Sequence, residues 1–367
     1  MSAIAFDSAR YDKLRKTYDA WWKNELDRSL ASIITTGHET ALKDPGTPQI
    51  TPDTSWDLSL TPQMFIDAYD YDFSRMRFHG DCFPRLNTSR FGPGVLAAFL
   101  GCKPVPGSNT VWFLPKEKNV PLEQLHFEYD RNSPHLRRIL DVIECGMERW
   151  KGDVIIGMPD LGGILDVLAS FRDTENLLYD LYDEPDEVIR CIKEIQQAWF
   201  DCFDHINSYL SPCAKGYSDW FGLYYDAPGY VLQSDFCYMI SPDMFRQFVG
   251  WELADSASRM KHAIYHMDGV GQIPHLDQLL AIDGIAAIQF GPGSGPREFD
   301  NFDDEVLLPT LRTGKKLVHR LQNSDGTPLP VLKDYMHQAY FHPKGFHKDD
   351  INAIKAYAEM YNIPVEL

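Results

Sequence analysis

Two side chains that could share one chemical task stand two residues apart in the run His262-Ala-Ile-Tyr-His266-Met-Asp268. The apolar run predicts a strand, and residues i and i+2 of a strand point to the same face. The imidazole of His266 and the carboxylate of Asp268 should therefore point the same way. They could be two zinc ligands, a His–Asp acid/base couple, or the partners of a hydrogen-bonded turn.

Two further histidines lie at or near the ends of the next predicted strands, which span 316–320 and 338–341. In a barrel of parallel strands these ends meet at one rim, and that rim carries the active site. The candidate metal ligands are therefore His266, Asp268, His319 and His342.

Aromatic rings and carboxylates are concentrated in residues 216–226. They could form the floor of a pocket for a flat or sugar-like ligand, or they could pack beneath a loop. On the first interpretation Tyr217 is a candidate catalytic residue. The candidate substrate-binding residues of this segment are Asp219, Trp220, Tyr224 and Tyr225.

Loops after other predicted strands supply the remaining candidates. Asp81 follows the probable first strand and is either a catalytic carboxylate or a helix-cap or turn residue. Asp160 stands in a loop that could approach a ligand or simply begin a helix. Gln289 lies in a predicted strand and Gly291 follows that strand; both are candidate substrate-binding residues, and the alternative for Gly291 is a tight turn after the strand.

Strands and helices alternate from about residue 75 onward, which predicts parallel strands with right-handed crossovers. The predicted strands are 153–157, 262–266, 285–290, 316–320 and 338–341. The predicted helices include 134–150, 185–209, 273–280, 303–311, 329–336 and 349–361. This pattern favours an α/β fold of the (β/α)8 TIM-barrel type over residues 75–367, with an open doubly wound sheet as the alternative.

Residues 1–74 are predicted to be a helical extension and linker. Apolar residues recur at helical steps over 7–36, where Gly37 would end the helix. Trp21 and Trp22 make the apolar face wider than one narrow stripe. That face could pack beneath the barrel or form the contact of a homodimer.

Composition narrows the function class. Lysine and arginine number 35 against 53 acidic residues, a net charge of −18 that argues against a nucleic-acid partner. The seven cysteines form no CxxC pair, which predicts reduced thiols in a cytoplasmic protein. Neither a signal peptide nor an apolar stretch of the ~20 residues that span a bilayer is visible.

The order of the segments resembles the uroporphyrinogen decarboxylase superfamily, nearer to its corrinoid-linked methyltransferase branch than to the haem-pathway decarboxylase. The resemblance covers about residues 75–360. It rests on the Asp81 segment with Phe91-Gly-Pro-Gly94 and Leu100-Gly101, on Gly157-Met-Pro-Asp160, on residues 178–188, on Ser234-Asp235 with Ile240-Ser-Pro242 and Phe245, and on Tyr265-His-Met-Asp-Gly269 followed by residues 285–291.

This resemblance implies a zinc ion that activates a thiol for attack on a methyl group bound to a corrinoid, which a partner protein carries. The branch's strand-end pattern is His-x-Cys with a later cysteine. His266 matches the first position, but Asp268 stands in the second, and no cysteine follows Cys237. A zinc ion with histidine and carboxylate ligands is better suited to activating water or an oxygen substrate.

Three hypotheses follow. The first is a methyltransferase-like enzyme with a metal at His266 and Asp268. The second is a metal-free decarboxylase or lyase for a small carboxylated or sugar-like substrate, with Asp81, His266 and Tyr217 as acid/base groups; the resemblance makes Asp81 a counterpart of the decarboxylase's substrate-binding aspartate. The third is a binding module without catalysis.

Overall fold

The computed structural model of the chain describes residues 4–318 and 321–365. In chain order the strands are β1 Ser32–Thr36, β2 Arg77–Gly80, β3 Arg85–Leu86, β4 Lys103–Pro106, β5 Val111–Leu114, β6 Ile155–Ile156, β7 Tyr230–Gln233, β8 Ala263–Asp268, β9 Ile285–Gly291, β10 Lys316–Val318, β11 Ala339–Tyr340 and β12 Lys344–His347. The helices are α1 Arg10–Trp22, α2 Pro52–Ser55, α3 Pro62–Ser74, α4 Leu96–Phe99, α5 Pro134–Trp150, α6 Ile164–Arg172, α7 Thr174–Asp183, α8 Pro185–Leu210, α9 Pro242–Phe245, α10 Trp251–Ser258, α11 Leu276–Leu280, α12 Leu308–Arg312 and α13 Ile351–Met360.

A five-stranded parallel sheet forms the centre of the molecule, in the order β11-β10-β9-β8-β7. Sequential strands are neighbours and helical segments connect them, as expected for right-handed crossovers between parallel strands. The sheet confirms that the fold is α/β with parallel strands.

The predicted closed (β/α)8 barrel is not confirmed, because strand pairing among the described residues does not close the sheet. The remaining strands form a parallel pair β3-β6, a hairpin β4-β5 and a three-stranded sheet β12-β1-β2. The pair β3-β6 is only two residues long on each side. Pro84 precedes β3 and Pro159 soon follows β6, and proline has no N–H to extend a ladder.

The predicted helix over 7–36 is wrong in its second half. α1 ends at Trp22, and Asn24 adopts a positive φ of 58°. Residues 32–36 then form β1, which pairs with β12 in parallel and with β2 in antiparallel orientation. The sequence Ser-Ile-Ile-Thr-Thr of β1 is rich in β-branched residues, which favour strands over helices.

The other predicted elements are mostly confirmed, with ends shifted by a few residues. The predicted helices 134–150, 185–209 and 349–361 correspond to α5, α8 and α13, and the predicted strand 262–266 is β8. The predicted helix 329–336 is wrong, since this stretch holds two 3-10 turns, Pro330–Leu332 and Met336–Gln338.

α1 covers the amino ends of the central strands. Its buried residues recur at three- and four-residue steps, so they form one apolar face. That face packs in one cluster with the inward residues of β7 to β11, namely Val231, Ile264, Ala287, Val318 and Tyr340. Lys316, the first residue of β10, donates to Asn24 just after α1. The opposite, carboxyl ends of the strands are therefore left for a site.

The tryptophan pair of α1 packs within the chain. Trp21 is fully buried, and the ring of Trp22 stacks on His262 with centres 4.4 Å apart. This contact accounts for the wide apolar face without a second copy of the chain, so the homodimer stays a prediction.

No helix within residues 4–318 and 321–365 combines the length and the apolar character that crossing a bilayer requires. The six cysteines whose side chains are described are free thiols. Five of these six are buried, as expected for cysteines that pack as small apolar residues in the core.

The buried carboxyl of Glu252 on α10 generates a prediction about stability. Burial raises its pKa to about 8, and Ser256 Oγ donates to it at 2.8 Å. Because the pKa of Glu252 is higher in the folded than in the unfolded protein, the free energy of unfolding is highest below the unfolded-state pKa. It falls as the pH rises from that pKa to about 8, since the buried carboxyl then has to ionise. Glu252→Gln should therefore be more stable than wild type at pH 8.5, by about 1 kcal/mol or more, with a smaller gain at pH 5.5.

Urea unfolding at both pH values checks this expectation. Glu359→Gln, which changes an exposed residue of α13, is the matched control and should show no such pH dependence. Parallel pH profiles for Glu252→Gln and wild type would contradict the assignment of a buried, neutral carboxyl.

Candidate metal centre

Three side chains that could ligate a metal ion converge at the carboxyl ends of β7 and β8. One ligand atom from each of Asp235, His266 and Asp268 lies within 4.8 Å of the others. His266 is half-buried, whereas both aspartates remain in contact with solvent. This grouping includes the predicted pair His266 and Asp268 and adds a carboxylate that the sequence analysis did not assign to the site.

β8 positions two of the three ligands. His266 pairs with Gln233 of β7 and Gln289 of β9, and Asp268 pairs with Gly291 of β9. The next residue, Gly269, turns the chain with a φ of 91° and donates its N–H to Gly291 O at 2.7 Å. A Cβ at Gly269 would lie 2.7 Å from the ring of Tyr238, so only glycine fits this turn.

Gln289 fixes the orientation of the His266 ring. Its Oε1 lies against Nδ1 of His266 at hydrogen-bond contact. Because an amide oxygen only accepts, Nδ1 carries the proton and Nε2 keeps the lone pair that a metal needs. Burial also lowers the pKa of His266, which favours the neutral ring.

Asp166 positions the third ligand, Asp235. β7 ends at Gln233, and a 3-10 turn begins at Asp235. The carboxylate of Asp166, in the first turn of α6, accepts the N–H groups of Asp235 and Phe236 at 3.0 and 2.8 Å. The main chain at Asp235 is therefore held from a neighbouring helix.

The carboxylates of this region repel one another. Loss of hydration and the negative charge of Asp268 raise the pKa of Asp235 to about 6. Burial and the charge of Asp235 raise the pKa of Asp166 to about 7. A bound cation would relieve both effects, because an opposite charge favours the ionised form.

A cavity of about 630 Å³ opens beside Asp235 and Asp166. Residues of the β4-β5 hairpin, of α6 and of the turn after β7 line it, and Phe113, Val167 and Phe236 contribute apolar surface. The sequence analysis assigned no structure to this hairpin. A cavity of this size and mixed lining suits a small organic molecule.

Among the aromatic candidates only Trp220 lies beside His266. Its ring meets the imidazole edge-on with centres 5.4 Å apart, and its Nε1 donates to Val231 O at 3.1 Å. Tyr224 and Tyr225 are fully buried in the cluster that includes α1. Packing rather than a pocket floor explains these two tyrosines.

Asp219 and Tyr217 hold the loop 217–225 in place. The carboxylate of Asp219 is fully buried and accepts the hydroxyl of Tyr225 and the N–H of Gly222. Tyr217 pairs through its backbone with Tyr225 and borders a small crevice near Gly152, apart from His266.

Asp160 lies one contact away from the cavity. Its Oδ1 accepts Gln233 Nε2 and the N–H of Gly162, both at 3.0 Å. Burial raises its pKa to about 7. Asp160 thus positions Gln233, which lines the cavity, instead of contacting the cavity directly.

The predicted catalytic residue Asp81 is not brought to His266. It forms a two-pronged ion pair with Arg28, at 2.6 and 2.9 Å, and accepts the N–H of Ala31. His342, which is exposed, contacts the ring of Phe221 and is not part of the three-residue grouping. The fourth predicted ligand, His319, lies outside the described residues.

Sequence reasoning missed Asp235 and Asp166. Asp235 follows the apolar run 230–233, so the rule that strand ends meet at one rim could have found it. Asp166 carries no such signal, because it acts through a contact with a segment distant along the chain.

The chain matches no known protein-family profile and no curated protein sequence. Among solved structures it is similar to a methyltransferase from Methanosarcina mazei, with a TM-score of 0.59 and 14% sequence identity. The match covers 95% of this chain and 98% of that chain. The chain therefore has a methyltransferase-like fold, while membership of the uroporphyrinogen decarboxylase superfamily stays a prediction.

The ion pair of Asp81 predicts a structural role. Asp81→Asn should lower the free energy of unfolding by about 1–3 kcal/mol, because Arg28 loses its charged partner. Zinc affinity should not change. Denaturant unfolding and zinc titration measure the two effects, and Arg28→Gln should give a similar loss of stability. Weakened zinc binding in a fully stable Asp81→Asn protein would contradict this role.

The contact between Gln289 and His266 predicts a role in holding the ring. Gln289→Leu should weaken zinc binding by about 10–100-fold, the usual cost of removing a group that orients a metal ligand. Gln289→Glu keeps an acceptor oxygen and should retain the affinity. Competition titration with a chromogenic chelator measures both variants. Equal affinities for the leucine variant and wild type would show that Gln289 does not orient His266.

Proposed function

We propose that this chain is a metal-dependent methyltransferase that acts on a small molecule. Asp235, His266 and Asp268 would hold the metal, and the neighbouring cavity would hold the substrate. The observation that carries the proposal is the convergence of three ligand atoms within 4.8 Å, in a chain with a methyltransferase-like fold.

The donor set suits zinc. An imidazole nitrogen with carboxylate oxygens is a known zinc ligand set, and three protein ligands leave a fourth position for another group. The described cysteines do not join the grouping. The nearest in sequence, Cys237, is fully buried and donates to Ser234 Oγ, and burial raises the pKa of its thiol. The site would therefore be one without thiolate ligands.

A bound zinc ion would supply positive charge that keeps a coordinated hydroxyl or thiol deprotonated at neutral pH. The chain's own residues would keep the ligands in place. Gln289 holds the proton of His266 on Nδ1, Asp166 holds the main chain of Asp235, and Trp220 covers one side of the imidazole ring.

The methyl group would pass to or from a corrinoid that a partner protein carries. The order of sequence segments that resembles the corrinoid-linked branch supports this part of the proposal. Exposed apolar side chains near the cavity also support a partner: Trp112, Tyr238 and Met239 are 66%, 51% and 45% exposed. Such exposed groups are typical of interaction surfaces when they are adjacent.

We also propose that residues 75–367 form a barrel unit, which residues 30–36 of the predicted extension 1–74 join through backbone pairing. Single backbone hydrogen bonds continue around the sheet beyond its paired strands and support this view. Phe341 N donates to Leu30 O, Asp81 N to Ala31 O, and Met158 N to Ser218 O, at 2.9, 3.2 and 2.8 Å.

One observation favours a second candidate, a metal-free carboxy-lyase. Asp166 lines the cavity, and its pKa is raised to about 7, so it could exchange a proton near neutral pH. Chelator treatment separates the two candidates, because a lyase of this kind would keep its activity without metal.

Zinc binding and methyl transfer test the proposal together. Zinc should bind stoichiometrically to the wild type, and His266→Ala, Asp268→Asn and Asp235→Asn should each lose at least about tenfold in affinity. Each variant should also lose zinc-dependent demethylation of methylcobalamin in the presence of an alcohol or thiol acceptor, followed by absorbance. Asp243→Asn, which changes an exposed aspartate of α9, is the matched control. Zinc affinity that survives all three substitutions, or methyl transfer that survives chelation, would contradict the proposal.

A further inference from the structure

Arg85 is a half-buried arginine on the inner side of the strands. It pairs in β3 with Ile155 of β6, and Ile155 belongs to the inward-facing cluster that includes Val231 and Ile264. Burial lowers the pKa of Arg85, because the charged guanidinium loses hydration. A guanidinium in such a position needs partners for its five N–H groups.

Within residues 4–318 and 321–365, Arg85 donates one hydrogen bond to the loop 219–222. Arg85 Nη1 donates to the main-chain oxygen of Asp219 at 3.0 Å. The carboxylate of Asp219 accepts instead from Tyr225 and Gly222. Among the described residues no carboxylate forms an ion pair with Arg85, so most of its donor capacity remains for another group.

Two glycines make room for the guanidinium. A Cβ at Gly222 would lie 2.9 Å from Arg85 Nη2, and one at Gly157 would lie 3.3 Å from Nη1. Gly222 also has a φ of 113°, which disfavours other residues. The loop is thus built to accept the planar end of this side chain.

The loop 219–222 connects Arg85 to the candidate metal centre. Asp219 contacts Arg85, and the next residue, Trp220, contacts the ring of His266. The following residue, Phe221, contacts His342 with ring centres 4.6 Å apart. Arg85 and His266 therefore flank the same three-residue segment.

We propose that Arg85 binds the carboxylate of the substrate, so that the substrate class is a small methylated carboxylic acid. A guanidinium fork matches a carboxylate with two parallel hydrogen bonds, which fixes orientation as well as charge. Arg85 does not line the cavity beside Asp235, so the carboxylate would bind outside that cavity and the rest of the substrate would extend past Trp220 toward the metal. This inference rests on the proposed function for the reaction, but binding of the carboxylate requires neither turnover nor metal.

Matched pairs of ligands test it. The probes are 4-methoxybenzoate against 4-methoxybenzyl alcohol, and dimethylglycine against dimethylaminoethanol. Calorimetry on chelator-treated protein excludes binding of the carboxylate to a metal. Wild type should bind the acid of at least one pair about tenfold or more tightly than its neutral partner. No preference in either pair would overturn the proposal.

Variants of Arg85 separate recognition from support of the loop. Arg85→Gln should remove the preference for the acid while leaving the neutral partner's affinity unchanged. Arg85→Lys keeps the charge without the fork and should keep part of the preference. Arg90→Gln, an exposed arginine nearby in the chain, is the control and should keep it fully. A preference that survives Arg85→Gln, or equal losses for acid and neutral partner in both Arg85 variants, would overturn the assignment.

Zinc titration of the same proteins distinguishes failure of the carboxylate site from failure of the proposed metal-dependent function. Arg85→Gln should bind zinc as wild type does. If zinc binding fails in wild type while the acid preference depends on Arg85, the metal proposal fails and the carboxylate site stands.

Discussion

The register of three parallel strands holds two carboxylates and an imidazole in one place. Pairing of β8 with β7 and β9 brings His266 between Gln233 and Gln289, and β7 ends just before Asp235. Like charges at this distance oppose the arrangement, as the raised pKa of Asp235 shows. The strands must therefore be fixed by the rest of the structure, because side chains alone would separate.

Support for this register comes from both ends of the strands. At the amino ends, α1 covers the sheet with a buried apolar face, and Trp21 packs beside Lys316 of β10. At the carboxyl ends, Asp166 binds the main chain of Asp235, and Gly269 closes the turn after β8. A division of this kind, with stability at one end and chemistry at the other, is typical of parallel α/β folds.

Local patterns in the sequence predict the parts of the site that depend on one strand. The i, i+2 spacing of His266 and Asp268 gives their common direction, and the apolar run before them gives β8. Contacts between distant segments are not visible in such patterns. Asp166 reaches Asp235 across 69 residues, and Asp81 is drawn away to Arg28 across 53 residues. The aromatic segment 216–226 can be interpreted as a pocket floor from the sequence for the same reason, since the burial of Tyr224 and Tyr225 depends on the distant helix α1.

On the proposed function, carboxylates and not thiolates complete the metal site beside His266. X-ray absorption at the zinc edge of the zinc-loaded protein measures the ligand atoms directly. We expect nitrogen and oxygen ligands at about 2.0–2.2 Å from the zinc, with no sulfur. Sulfur scattering at about 2.3 Å, or a spectrum unchanged by replacing both Asp235 and Asp268 with asparagine, would contradict it.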